Sequence, residues 1–361
     1  MLKTLTTTLL LLIAATTYAQ KLQPGFEPDE YATMLRIAAY QVDSQFRRST
    51  PKETEYTRAF RGTEVGMHNK WDLWLSKDKS IMVVNLRGTT SDMDSWLENF
   101  YSAMIPATGK LVINKKDINY KLAADPKATV HVGWTIGMCC MAPEIMDKIN
   151  EYYKLGTKQV IIAGHSQGGA LSFLLTSYLH YKQVDGLLPK DLVMKTYCSA
   201  APKPGNLYYA YDFDNITRGG WAFKVVNTAD WVPETPVSVQ TVNDFNPLNP
   251  FIHADAMLGS QKWYVKAYLK HVYKRLSKTT HKAQHTFEKY TGRMAYTQVK
   301  KYMPGLEQPH YSSSANFMRA GTPIVLQADA DYYKIYPDTG SNIFRHHLFG
   351  PYLYLLRKTY K

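Results

Sequence analysis

Apolar residues recur at three- and four-residue steps over several stretches of the chain. Met34, Leu35, Ala38, Ala39 and Val42 follow Pro28 and Asp29, and this spacing predicts a helix opened by the proline. Ile136, Met141, Ile145 and Ile149 repeat the pattern within 133–153, and a third helix is expected over 170–181. Shorter runs of another kind lie between them. Residues 71–75 and 81–86 read as two strands joined by the polar turn Lys77-Asp78-Lys79. The more polar 111–118 and 120–122 read as a second hairpin. Residues 160–163 form a continuous apolar run, which suits a strand buried on both faces. Further strands are expected over 192–198, 223–226 and, last, 323–327. Buried strands alternating with helices predict an α/β fold, with a mostly parallel central sheet flanked by helices.

Residues 261–303 break the pattern. They hold nine Lys and two Arg against one acid, Glu288, a net charge of +10 out of +13 for the whole chain. Lys262, Lys266, Lys270, Lys274 and Lys278 recur every four residues, and Tyr264, Tyr268, Val272 and Leu276 follow two positions on. Those stripes predict one helix with a basic face and an aromatic–aliphatic face. It belongs to a basic helical insertion over 237–311, ahead of the last strand. Two readings are open: peripheral contact with an anionic membrane surface through 261–303, or a cap helix packed on the body with solvated lysines. Nucleic acid is not expected as a partner, because no nucleic-acid motif accompanies the charge.

The first 19 residues read as a signal peptide, with Lys3 before an apolar core and Thr17 and Ala19 at the positions that precede cleavage. Cleavage near Ala19/Gln20 would export the protein, secreted or periplasmic, and leave 20–361 as one domain. Its charge is then nearly all in the basic segment. Cys139, Cys140 and Cys198 allow one bridge at most and read as free buried thiols.

The chemistry concentrates at 160–169, V-I-I-A-G-H-S-Q-G-G. Gly164, Ser166 and Gly168 form G-x-S-x-G between an apolar strand and a helix. A sharp turn there lifts the serine hydroxyl clear of the sheet, and the helix N-terminus favours negative charge on a substrate oxygen. Serine needs a base to take its proton and an acid to orient that base, in the chain order Ser, acid, His.

Further blocks resemble the class 3, fungal-type lipases of the α/β-hydrolase superfamily. They are Asn85-Leu86-Arg87-Gly88-Thr89-Thr90, Ser95-Trp96-Leu97, His131-Val132-Gly133-Trp134, Ser199-Ala200-Ala201-Pro202-Lys203-Pro204-Gly205-Asn206, and 225–233, V-V-N-T-A-D-W-V-P. Gln167 stands where the family commonly has Leu, and Ser199-Ala200 where it has Phe-Gly. The resemblance implies Ser166 as nucleophile, Asp230 as acid and His347 as base, the last from its spacing to Tyr352, with neighbouring His346 as the alternative base. It implies an oxyanion hole at Thr89 and Gln167, and a lid that begins near Trp96. His165 reads as packing within the elbow. No metal or other cofactor is expected: there is no H-E-x-x-H, and the Asp329/Asp331 pair brings too few oxygen ligands for calcium. The implied function is an exported serine carboxylic-ester hydrolase, a lipase on acylglycerols. The alternatives are a phospholipase A1-like enzyme, an esterase on soluble or plant-derived esters, and a lipid-binding protein that keeps the fold without activity.

Overall fold

The computed structural model describes residues 20–41, 50–249 and 262–360. The expected leader and Val42 lie outside the described residues. In chain order the strands are β1 (Tyr56–Arg61), β2 (Trp71–Ser76), β3 (Ile81–Leu86), β4 (Met104–Pro106), β5 (Thr108–Ile113), β6 (Lys116–Lys121), β7 (Thr129–His131), β8 (Gln159–His165), β9 (Val193–Ser199), β10 (Ala222–Asn227) and β11 (Thr322–Leu326). Seven of them form the central sheet in the order β1-β2-β3-β8-β9-β10-β11. The β1-β2-β3 pairs are antiparallel, and from β3 to β11 every pair is parallel. This is the mostly parallel sheet that the sequence predicts.

The apolar runs of β3 and β8 follow from two-sided burial. Met82, Val84, Leu86, Val160 and Ile162 enter a core with the helices Val132–Lys154 and Gln167–Val184. Val83, Ile161 and Ala163 enter the opposite core with the helices Pro28–Ala39 and Phe349–Thr359. Alternate residues of one strand thus feed two cores, which explains the apolar runs; within β3 the exception is buried Asn85, whose side-chain amide has no hydrogen-bond partner among the described residues. Just past the expected cleavage point the chain is already built into this body. The N–H groups of Lys21 and Leu22 both donate to Gln159 Oε1, at 2.8 and 2.7 Å.

Two elements differ from expectation. The second hairpin turns at Asn114-Lys115, both with positive φ (53° and 62°), and pairs Thr108–Ile113 with Lys116–Lys121. The polar Asn114-Lys115 step takes the left-handed turn, so 111–118 is not one strand. β1 went unread because it is an edge strand with every residue at least partly exposed, which leaves no alternating apolar signal.

The basic region forms the helix Trp263–Glu288, a π-helical turn Lys289–Met294 and the helix Ala295–Tyr302. Among the described residues, nothing from 262 to 283 is buried, and burial begins at Gln284. The segment is anchored at its far end, where Gly292, Ala295 and Val299 are buried.

Candidate active site

Three of the sequence motifs fall where a strand of the parallel part of the sheet ends. β3 runs into Arg87-Gly88-Thr89, β8 into Ser166, and β10 into the turn that holds Asp230. Open α/β sheets place their sites beyond these carboxyl ends.

Ser166 has φ +63° and ψ −129°, a backbone conformation that strains an L-residue, and its N–H donates to the Ser199 carbonyl at 3.0 Å. The turn closes only around glycine. A Cβ on Gly164 would stand 2.2 Å from the Gly168 carbonyl oxygen, and one on Gly168 would stand 2.2 Å from that of Leu86. A Cβ on Gly88 would come within 2.9 Å of the His165 carbonyl oxygen and 3.5 Å of Ser166 Cβ. The Arg-Gly-Thr block is therefore pressed against the elbow.

Asp230 Oδ2 accepts from His347 Nδ1 and from the Tyr352 hydroxyl, each at 2.7 Å, while Oδ1 accepts from the Val232 N–H at 3.0 Å. Both partners of the pair are buried, Asp230 at 4% and His347 at 9% exposure. Burial favours the neutral acid, but His347 and the hydrogen bonds outweigh it and hold the Asp230 carboxyl below its usual range. His347 Nε2 is enclosed and has no hydrogen-bond partner among the described residues. The imidazole is thus fixed at one nitrogen and open at the other.

His346 faces elsewhere. Its Nδ1 meets the Tyr332 hydroxyl and its Nε2 meets Asp338, both at 2.7 Å, so of the two adjacent histidines His347 alone contacts Asp230. His165 does more than fill space. Its Nε2 donates to the His347 carbonyl at 2.7 Å and its Nδ1 accepts from Ser199 Oγ at 3.0 Å; Tyr31 lies 2.6 Å from Ser199 Oγ. Burial first, then the nearby His347, pushes His165 down to about 3. It therefore stays neutral, with one donor and one acceptor nitrogen, and the chain of bonds runs in one direction from Tyr31 to His347.

Thr89 and Gln167 lie side by side, with Thr89 Oγ1 donating to Gln167 Oε1 at 2.9 Å. Among the described residues, the backbone N–H of each has no acceptor within the protein. Asn99 Nδ2 donates to Thr89 Oγ1, and Trp134 Nε1 donates to Asn99 Oδ1, both at 2.9 Å. Trp96, on the helix Met93–Phe100, packs 5.7 Å from the Phe344 ring, which lies 5.4 Å from Trp231 and 6.1 Å from His347. Aromatic surface thus borders His347. Among the described residues no group of three or more His, Cys, Asp or Glu converges as a metal site. Asp329 is bound to Lys358 and Asp331 to Lys334.

Sequence reasoning took Tyr352 as a spacing mark and assigned nothing to Asn99. Tyr352 carried a signal, since it stands five residues beyond His347 at the start of the last helix. Asn99 carried none, because Thr89 and Trp134, which its amide joins, lie 10 and 35 positions away.

Residues 83–240 match the family described as lipase (class 3). The matched segment contains Thr89, Ser166, Gln167 and Asp230, and His347 lies beyond it. A secreted mono- and diacylglycerol lipase of Malassezia restricta is 28% identical over 153 residues, 42% of this chain and 46% of that protein. A secreted mono- and diacylglycerol lipase of Gibberella zeae is 31% identical over 103 residues, 28% of this chain and 30% of that one. The match thus spans less than half the length of either relative. Among solved structures, a mono- and diacylglycerol lipase from Aspergillus oryzae aligns at 15% identity over 59% of this chain and 76% of that one, with a TM-score of 0.42. Lipase II from Rhizopus niveus aligns at 22% identity over 58% and 74%, with a TM-score of 0.41.

Proposed function

We propose that this protein is an exported serine carboxylic-ester hydrolase that acts on acylglycerols. The observation that carries the reading is the buried His347–Asp230 pair at 2.7 Å, with His347 Nε2 unpartnered and the His347 carbonyl bonded by His165, the residue just before Ser166 on its strained elbow. Ser166 Oγ attacks the ester carbonyl carbon as His347 Nε2 takes the hydroxyl proton. Asp230 keeps the Nδ1–H in place and stabilises the imidazolium. The tetrahedral oxyanion rests on the Thr89 and Gln167 N–H groups, each of which lowers the barrier by about 3 kcal/mol. His347 then gives its proton to the leaving alkoxide, the C–O bond breaks and the alcohol departs. A water gives a proton to the same nitrogen and attacks the acyl carbon; the bond to Ser166 Oγ then breaks, His347 returns the proton to that oxygen, and the fatty acid departs.

The secreted mono- and diacylglycerol lipases among the relatives support partial glycerides as the substrate class and export as the destination. The aromatic surface of Trp96, Phe344 and Trp231 offers an acyl chain apolar contact beside the base. The helix Trp263–Glu288 extends the reading to an anionic lipid surface. Trp263 and Tyr268 are 80% and 67% exposed, lysines share the helix, and no acid occurs before Glu288.

The test is hydrolysis of mono-, di- and triacylglycerols, a phospholipid and a soluble short-chain ester. Wild type is expected to prefer the acylglycerols. Ser166→Ala and His347→Ala are expected to lose at least about a thousandfold in kcat, while His346→Ala stays within about tenfold. Full activity in Ser166→Ala would sink the reading, and a preference for the phospholipid or the soluble ester would replace its substrate.

A further inference from the structure

Glu98 is a fully enclosed carboxyl that the mechanism above does not use. It sits on the helix Met93–Phe100, which is pressed onto a glycine surface of the helix Val132–Lys154. A Cβ on Gly133 would lie 2.1 Å from the Glu98 carbonyl oxygen, and one on Gly137 would lie 2.5 Å from Glu98 Oε1. Glu98 Oε2 accepts from Asn69 Nδ2 at 2.6 Å, whereas Oε1 is buried without a hydrogen-bond partner among the described residues. Full burial in such a site disfavours the charged carboxylate relative to the neutral acid.

The same short helix holds the Thr89-Thr90 block. Ser95 Oγ accepts from the Thr90 N–H at 3.1 Å, and Asn99 reaches Thr89 Oγ1, which in turn donates to Gln167 Oε1. The Gln167 side-chain amide also bears on Glu98 and favours its charged form. Gln167 is therefore flanked by Thr89 on one side and Glu98 on the other, and its own backbone N–H is one of the two oxyanion donors of the reading above.

We propose that Glu98, in its neutral form, is a positioning residue for the oxyanion donors, keeping the helix Met93–Phe100 and the Gln167 side chain in the arrangement that aims the Thr89 and Gln167 N–H groups. Ionising it puts a charge with one unpartnered oxygen into a closed site and loosens that arrangement. The inference rests on the ester-hydrolase reading.

Burial pushes the Glu98 carboxyl up to about 8; Asn69 and Gln167 pull it down and Asp94 pushes it up. Several other groups face it. Asp94, one turn back on its own helix, is tied to His68 Nε2 at 3.1 Å. Cys140, from the helix Val132–Lys154, is itself pushed up to about 12 by burial and by Glu98. Arg87 is engaged by Glu64 and by the His68 carbonyl, both at 2.6 Å.

The test is the pH profile of kcat and KM on a soluble short-chain ester, for wild type, Glu98→Gln and Asn69→Ala. In wild type kcat is expected to fall about tenfold between pH 7 and 9 at nearly constant KM. Glu98→Gln, isosteric and always neutral, is expected to match wild type at pH 7 within about twofold and to stay flat to pH 9. Asn69→Ala removes a bond that favours the anion, so the alkaline fall moves to higher pH without any change at Glu98 itself. The same alkaline fall in Glu98→Gln, an unmoved fall in Asn69→Ala, or no fall in wild type overturns the proposal. Failure of the hydrolase reading looks different: esterase activity is then absent, or survives in Ser166→Ala, at every pH.

Discussion

Tyr352 and the Val232 N–H hold the two oxygens of Asp230, one each, and His347 completes the set. A hydrogen bond to a buried charge contributes about 1.5–3 kcal/mol. Tyr352→Phe removes one such bond and leaves the ring's packing intact. It is therefore expected to lower kcat by roughly tenfold or more while the protein stays folded. An unchanged kcat would mean that Tyr352 serves packing alone. The strand-end positions of Ser166 and Asp230 were legible in the sequence because each sits in a short motif there. His347 was set apart from His346 only by its spacing to Tyr352. They are consecutive in one 3-10 turn, Arg345–His347, and differ only in the direction each side chain leaves it. His165, Asn99 and Glu98 stayed hidden because their partners lie far off in sequence. His165 meets the His347 carbonyl, 182 positions away, and Glu98 meets Asn69, 29 positions away.

At the scale of elements, periodicity reported well wherever burial was complete. β3, β8 and β10 are enclosed by two cores, and their apolar runs match the strands to within a residue or two. The helix Trp263–Glu288 was legible as a helix, since its stripes recur at helical spacing. Its unburied first five turns were not, because a lysine stripe reads the same beside a protein core as beside water. Exposed Trp263, Tyr264 and Tyr268 next to lysines fit an anionic lipid surface. Sedimentation with vesicles of phosphatidylcholine alone and with about 30% phosphatidylserine, at low and high salt, tests this. Binding is expected only with the anionic lipid, weakened by salt, and lost on changing Lys266, Lys274, Lys278 and Lys282 together to Gln. Binding indifferent to lipid charge and salt, or unaffected by those substitutions, would contradict it.

Across the whole molecule the charge is uneven. The basic segment 261–303 carries +10 of the total +13, which bears on docking and leaves the rest of the chain close to neutral. Buried titratable groups set the response to acid. His131 and His165 are both pushed down to about 3, chiefly by burial. Their folded values lie below the ordinary 6.5, so the unfolded chain takes up their protons first. Stability is then lost as pH falls from about 6.5 towards 3, on the order of 1 kcal/mol per pH unit for each histidine. Asp230, also lowered, acts in the same direction. Glu98, raised from 4.5 to about 8, opposes them above pH 4.5, where its burial costs more as pH rises. Thermal unfolding is therefore expected to show the steepest loss of Tm below about pH 4.5, where Glu98 no longer offsets the histidines. A Tm that is flat from pH 6.5 to 4 would contradict the buried, neutral state of these groups.

The central claim is that Ser166 is a nucleophile activated by His347 and Asp230. Labelling with an alkyl phosphonate ester, followed by peptide mass spectrometry, tests it most directly. A single adduct on Ser166 is expected, formed in step with loss of esterase activity and absent from Ser166→Ala and His347→Ala. An adduct on another residue, or full activity in a protein whose Ser166 is labelled, would contradict it.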